Sequence, residues 1–405
     1  ALPIWKRIGE EEFSKMNQVF IDRVEALERT PRRRSSQKKT EQKVRHGKGD
    51  SSPDTKPQHK GRLILDATVA PQDIRYPTDL DLLNEAREQS ERIIDILYDP
   101  VPGKRKPRTY RRKARKEYLA TAHKRRKSQK SLRKAIGKQL NYVKRNIKTI
   151  NTLLDEKAGG AFPLSFRDLR MFWIIQEVYR QQRQMYETHS HQIADRIVSL
   201  SQPYIRPIVR GKSGKEVEFG AKLSVSLVGG FAFLDHLSWD AFNESRDLVF
   251  QVERYRRRFG FYPEVVIVDQ IYGTRENRRY LKSKGIRYSG KVLGRPPKLT
   301  DEVLQAERAK RRQRRQEAGQ RNRIEGKFGE GKRKYDLDCV KTKTRQTSES
   351  WIAAIFFVMN LAHWMRLHFF VLFLKRPKSW FLQALNDIKE HFLIHKDTFY
   401  YQFQC

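Results

Sequence analysis

The sequence predicts an α/β fold in which a buried sheet is flanked by helices. Two apolar runs, residues 63–65 and 265–268, have the composition of strands that are buried on both faces. Each run is followed by an aspartate, Asp66 and Asp269 respectively. The chain between and after these runs carries apolar residues at helical spacing, for example over residues 79–97. Strands that alternate with helices are typical of an α/β sheet.

The two aspartates indicate chemistry at the rim of the sheet. In open α/β sheets, the carboxyl ends of the strands meet at the edge where active sites lie. A buried strand rarely ends on an unpaired carboxylate, because desolvating that charge is expensive. A divalent metal ion would remove this cost, and Glu325 in a basic helical segment supplies a third carboxylate. Three carboxylates around one or two Mg²⁺ ions would form a phosphoryl-transfer site.

The composition predicts a polyanionic partner. The chain has 405 residues and a formal net charge of +38, for which nucleic acid is the first candidate and an anionic membrane surface the second. Two cysteines, Cys339 and Cys405, exclude a disulfide framework and a four-cysteine zinc site, and they fit a reducing cytoplasm. The first residues show no signal-peptide pattern and no initiator Met, so we expect the chain to begin inside a longer protein.

The most apolar stretch, residues 352–374, is long enough to span a bilayer. Four polar side chains interrupt it, and a central arginine is costly in lipid: Asn360, His363, Arg366 and His368. We therefore predict a helix over residues 348–367 that is buried in the protein, and no membrane partner.

Changes in composition divide the chain into five parts. A helical pattern over residues 10–28 is followed by a basic linker, and a predicted hairpin near Gly229-Gly230 lies in the second part of the sheet domain. The predicted parts are an N-terminal tail and linker (1–60), the first part of the sheet domain (61–103), a basic helical segment (104–215), the second part of the sheet domain (216–345) and a C-terminal helical segment (346–405).

A dense block of basic residues lies near the start of the helical segment. Residues 104–138 contain 17 Lys or Arg and one acidic residue, Glu117. This imbalance is too large for pairing within a helix to neutralise, so the block indicates binding to the phosphate backbone. A solvated helical face is the alternative. The candidate DNA-binding residues are Arg111, Arg112, Lys113, Arg115 and Lys116.

Glu325 lies between two cations, Arg321 and Lys332, at spacings of four and seven residues. On a continuous helix, these spacings would place the metal-binding carboxylate of Glu325 between two cations that could bind phosphate. An ordinary surface ion pair between Arg321 and Glu325 is the alternative. Glycines at 326, 329 and 331 weaken the expectation of a continuous helix. Glu330 is the less favoured candidate for the acidic role.

Two aromatic residues near the predicted site also have two interpretations. Trp239 and Tyr272 could stack on an unpaired base, or they could pack in the core.

Three segments, residues 66–87, 268–298 and 322–338, resemble the catalytic blocks of bacterial DDE-type insertion-sequence transposases. The resemblance extends over about residues 4–370. It implies a ribonuclease-H-like mixed sheet flanked by helices, with the basic segment inserted between the two aspartates. It also implies a catalytic, metal-binding triad of Asp66, Asp269 and Glu325 with two Mg²⁺ ions, for which Mn²⁺ could substitute. The implied partners are the double-stranded DNA of element ends and target, and a homodimer assembled on DNA at the bacterial nucleoid.

The sequence departs from the family pattern at two positions. Ala318 occupies the place of a usual Tyr, and Gln270 follows the second aspartate where a Lys is common, whereas Arg321 and Lys332 match and are implied to contact DNA. The start of the chain resembles only the end of the family's N-terminal region, so we expect a truncated copy. A catalytically inactive DNA-binding relic and a Mg²⁺-dependent nuclease are the alternative functions.

Overall fold

The computed structural model describes residues 8–29, 59–100, 105–212, 215–290 and 301–375. Its helices are α1 Glu10–Arg29, α2 Asp79–Leu97, α3 Arg111–Ala122, α4 Gln129–Asp155, α5 Phe166–Thr188, α6 Leu248–Phe259, α7 Arg275–Ser283, α8 Asp301–Lys334 and α9 Arg345–Lys375. Its strands are β1 Arg62–Pro71, β2 Arg206–Lys212, β3 Lys215–Val228, β4 Phe231–Ser238, β5 Val265–Ile267 and β6 Arg287–Tyr288, and two short 3-10 helices lie at Glu244–Asp247 and Gln270–Tyr272. Most of the predicted basic linker lies outside the described residues.

The strands of the described residues form one mixed sheet, which confirms the predicted α/β class. β1 lies in the middle, antiparallel to β3 on one side and parallel to β5 on the other. β6 continues the parallel half beyond β5, and β2 and β4 both pair antiparallel with β3. The hairpin predicted near Gly229-Gly230 is confirmed as the turn between β3 and β4. This topology is compatible with a ribonuclease-H-like fold.

The expectation that the first strand ends at Asp66 is wrong. β1 continues to Pro71, because its second half pairs with β3 in a register that runs from Asp66 opposite Val225 to Pro71 opposite Gly220. The parallel pairing with β5 is shorter and ends at Ile64 opposite Ile267. Asp66 therefore lies within β1, at the point where its parallel neighbour has ended.

Helices α2 to α5 pack against one another in the stretch of chain between β1 and β2, and α2, α4 and α5 share an apolar core of their own. The helix predicted over residues 79–97 is confirmed, and the Thr78 side chain caps its first turn by accepting a hydrogen bond from the backbone of Asp81. Arg87 is fully buried in this group and donates to Glu91 at 2.6 Å. The carboxylate balances a guanidinium charge that would otherwise be costly to bury.

The three glycines after Glu325, which weakened the expectation of a continuous helix, do not end it, since α8 is continuous to Lys334. Gly331 allows a close approach that a larger residue would prevent. A Cβ at this position would lie 3.0 Å from Leu337 Cδ2 and 3.1 Å from Met359 Sδ. The packing between α8 and α9 thus compensates for the low helix propensity of this glycine.

Helix α9 confirms the predicted C-terminal helix and extends it to Arg345–Lys375. Within the described residues, the stretch Arg345–Leu367 is long and apolar enough to cross a membrane by length and composition. Its side chains Ile352, Phe356 and Met359 are buried in the core beneath the sheet. Helix α1 packs against α9 and β4, and Asn360 joins them by donating to Asn17 Oδ1 at 2.9 Å and to the Ala232 carbonyl at 2.7 Å.

Candidate active site

Asp66 is a half-buried carboxylate at the centre of the sheet. Its Oδ1 accepts a hydrogen bond from the backbone N–H of Ala67 at 2.8 Å. The pKa of Asp66 is raised to about 6. Burial is the largest cause, and the carboxylates Glu244 and Glu325 act in the same direction, whereas the Ala67 hydrogen bond and Arg321 oppose the rise. Asp66 is therefore a carboxylate whose charge a nearby cation would stabilise.

Asp269 leaves the sheet at the same level as Asp66. Each aspartate lies two residues beyond the last parallel pair, which is Ile64 opposite Ile267. Asp269 caps the 3-10 helix Gln270–Tyr272 by accepting a hydrogen bond from the backbone N–H of Gln270 at 2.6 Å. Its side chain is 54% exposed, so the carboxylate is open to a ligand from solvent.

Arg321 joins Asp269 to Glu325. Helix α8 packs across β1 and β5, and this packing brings its side chains to the place where the parallel pairing of β1 with β5 ends. Arg321 Nη1 lies 2.7 Å from Asp269 Oδ1, and Arg321 Nη2 lies 3.4 Å from Glu325 Oε1. The predicted pair between Arg321 and Glu325 is present, and the same guanidinium also binds the second aspartate.

The chemistry of these side chains fits a divalent metal, although they do not form a closed metal site. No group of three acidic, histidine or cysteine side chains in the described ranges lies close enough together to hold a metal ion. The guanidinium of Arg321 instead supplies the positive charge between Asp269 and Glu325. Carboxylate oxygens are the ligands that Mg²⁺ prefers, and Arg321 lies where such a cation would be held.

Glu330 faces a different part of the molecule from Glu325. Its carboxylate lies 3.0 Å from Lys327 Nζ and 2.7 Å from Arg366 Nη2 on α9, and these two cations lower the pKa of Glu330 against the opposing effect of burial. Glu330 therefore helps to hold α8 against α9. Lys332 is half-buried on α8, two turns beyond Glu325.

The two aromatic candidates pack in the core. Trp239 is 3% exposed, donates from Nε1 to Glu349 at 2.8 Å and contacts the Tyr204 ring edge-on. Tyr272 is 0% exposed. Neither ring is available to stack on a base.

The five basic candidates lie together on α3, but they differ in their partners. Arg111 donates to both carboxylate oxygens of Asp95, at 2.8 and 3.0 Å, and so links α3 to α2. The other four side chains are exposed: Arg112, Lys113, Arg115 and Lys116. These four cations are better placed than Arg111 to meet a phosphate backbone.

A second basic surface on α4 escaped the sequence analysis. Exposed cations at Lys134, Lys144, Arg145 and Lys148 lie on a stretch of helix without an acidic residue. Arg145 stacks on the ring of Tyr110, at the start of α3, with its guanidinium carbon 4.6 Å from the ring centre. The basic surfaces of α3 and α4 are therefore adjacent. The signal was the helical spacing of Lys144, Arg145 and Lys148 beyond the densest basic block, which already includes Lys134.

The mixed sheet, with acidic side chains from β1, from the end of β5 and from α8, is compatible with the ribonuclease-H-like class of proteins. Residues 266–362 match the family model described as Transposase DDE domain. The match confirms the resemblance to DDE-type transposases. It includes Asp269, Arg321, Glu325 and Lys332, whereas Asp66 and α3 lie outside it. No curated protein and no solved structure matches the chain significantly.

Proposed function

We propose that this chain is a DNA transposase that cuts and joins phosphodiester bonds at a centre formed by Asp66, Asp269 and Glu325. The observation that supports the proposal most directly is the double ion pair of Arg321 with Asp269 and Glu325. Two carboxylates far apart in the sequence share one cation beside Asp66, in a chain that matches the transposase DDE domain.

Each side chain has a role in this proposal. The three carboxylates offer oxygen ligands to Mg²⁺, or to Mn²⁺ in its place, and two bound ions would activate the attacking oxygen and stabilise the leaving one. A bound cation would favour the ionised form of Asp66 and so offset the effect of burial on its pKa. Arg321 and Lys332 flank Glu325 on α8 and would hold the DNA phosphates.

The basic surfaces of α3 and α4 would bind the double-stranded DNA of element ends and target. Residues 104–215 would form a basic insertion into the ribonuclease-H-like core. The protein would act at the nucleoid in the cytoplasm, as a homodimer assembled on DNA and without a membrane partner. No observation favours the inactive relic.

The test uses the full chain with a supercoiled plasmid that carries its gene and flanking DNA, in Mg²⁺. We expect both cut ends and joined products, and we expect D66N, D269N and E325Q to lose both. E276Q is the matched control, because Glu276 is an exposed glutamate on α7. Cutting without joining would indicate a nuclease, and equal activity of E325Q and the unmodified chain would contradict the proposed centre.

A further inference from the structure

A fourth carboxylate, Glu244, is held beside the candidate centre. It begins the 3-10 helix Glu244–Asp247 after β4, which packs against the 3-10 helix that directly follows Asp269. Asn277 fixes this contact, since its Nδ2 donates to the Ser245 carbonyl at 2.7 Å and to the Tyr272 carbonyl at 2.9 Å. The segment that Glu244 begins therefore packs beside the segment that follows Asp269, on the β4 side of the centre, whereas Glu325 lies on α8.

Tyr272 provides a second and independent observation at the same place. The side chain is fully buried, and its hydroxyl has no hydrogen-bond partner among the described residues. Burial raises the pKa of Tyr272 well above its usual value, and Glu244 followed by Asp66 are the strongest charges that act on it. A buried hydroxyl without a partner costs about 1–3 kcal/mol, so the group is suited to a small polar ligand between these carboxylates.

Glu244 is itself built into the fold as a charged group. Its side chain is 18% exposed and lies 3.0 Å from Lys222 Nζ. Lys222 is on β3, opposite Val69 of β1. The 3-10 helix that Glu244 begins is also tied to the strand beside Asp66, because Ser224, opposite Ala67 of β1, donates from Oγ to Asp247 Oδ2 at 2.5 Å. The ion pair fixes the position of the Glu244 side chain, and the oxygens of a carboxylate can accept hydrogen bonds from water.

We propose that Glu244 is a positioning residue of the centre, which with the Tyr272 hydroxyl binds the water shell of the divalent cation that Asp66 would hold. The inference rests on the proposed function, because it takes Asp66 as a metal ligand. Groups that orient ligands and water around a metal are often worth about 10–100-fold in metal affinity.

The test is a Mn²⁺ titration of the full chain without DNA, followed by the electron paramagnetic resonance of free Mn²⁺. We expect E244Q to weaken binding about 10–100-fold, E244D to restore most of it, and Y272F to weaken it less than E244Q. The exposed control E276Q should bind as the unmodified chain does. D66N serves as the reference for loss of a direct ligand.

The variant K222M separates positioning from packing, because it removes the ion pair and keeps Glu244. If K222M weakens Mn²⁺ binding as much as E244Q and E244D does not restore it, Glu244 acts only through packing and the proposal fails. If E244Q binds Mn²⁺ normally while D66N does not, the proposal is overturned and the proposed function stands. If D66N also binds normally, both are overturned.

Discussion

Arg321 is the residue on which the geometry of the candidate site depends most. Its guanidinium is shared between Asp269 and Glu325, both of which are 54% exposed. Exposed ion pairs contribute little to stability, about 0.2–1 kcal/mol each. The more important consequence concerns binding, because the arginine occupies the carboxylates that a metal ion would need.

We predict that R321M binds Mn²⁺ more tightly than the unmodified chain when DNA is absent. The gain should be up to about 30-fold, since removing the two competing exposed ion pairs releases at most about 2 kcal/mol. The same variant should lose DNA cutting, because the proposed phosphate contact is gone. Calorimetric titration with Mn²⁺ measures the first effect, and the plasmid assay measures the second.

The matched control for Arg321 is R323M, which removes an exposed arginine from the same helix. R323M should leave both Mn²⁺ affinity and cutting unchanged. Weaker Mn²⁺ binding by R321M would mean that the arginine supports the metal site and does not compete for it.

At the scale of the element, α8 is positioned by its contact with α9. Gly331 lies where a side chain would meet Leu337 and Met359, whereas a Cβ at Gly326 would have no atom within 4 Å. We predict that G331V destabilises the chain by about 1–3 kcal/mol through overpacking. G326A should stabilise it by about 0.5–1 kcal/mol, because alanine loses less entropy in a helix. Urea unfolding of both variants measures the difference, and equal stabilities would show that α8 does not need the close approach.

The sequence predicts local features of the elements well and their long-range partners poorly. The capped helix α2 and the turn at Gly229-Gly230 depend on neighbouring residues, and both are predicted correctly. The continuation of β1 beyond Asp66 depends on β3, which pairs with it from far along the chain. No local pattern contains that information.

The candidate site shows the same division between local and distant determinants. Asp66, Asp269 and Glu325 are found as candidates because each aspartate follows an apolar run in the sequence and the glutamate lies in a charged helix. The ion pair of Arg321 with Asp269 and the pairing of Glu330 with Arg366 could not be predicted, since they depend on how α8 lies across the sheet and α9. Glu244 was not identified from the sequence, because the residues around it do not form a recognised metal-binding motif.

At the scale of the whole molecule, a net charge of +38 makes DNA binding dependent on salt. We predict that replacing the four exposed cations of α3 with Gln reduces the slope of log K against log salt by about 0.9 for each DNA phosphate that is no longer neutralised. R111Q should change this slope less, because Arg111 is bound to Asp95. Fluorescence anisotropy over a salt series measures both effects.

The control for the salt experiment is R180Q/R183Q on α5, whose arginines are exposed but paired with Glu177 and Glu187. This variant should keep the slope of the unmodified chain. If the α3 variant also keeps that slope, the basic face of α3 faces solvent and does not bind DNA phosphates.

The central claim is that three segments far apart in the sequence meet at one metal site. The most direct test replaces Mg²⁺ with Fe²⁺ and maps where hydroxyl radicals from the bound iron cut the backbone. We predict cuts around Asp66, Asp269 and Glu325, all suppressed by excess Mg²⁺ and all abolished in E325Q. Cuts confined to one of these segments, or cuts around Asp66 and Asp269 that persist in E325Q, would contradict a shared site.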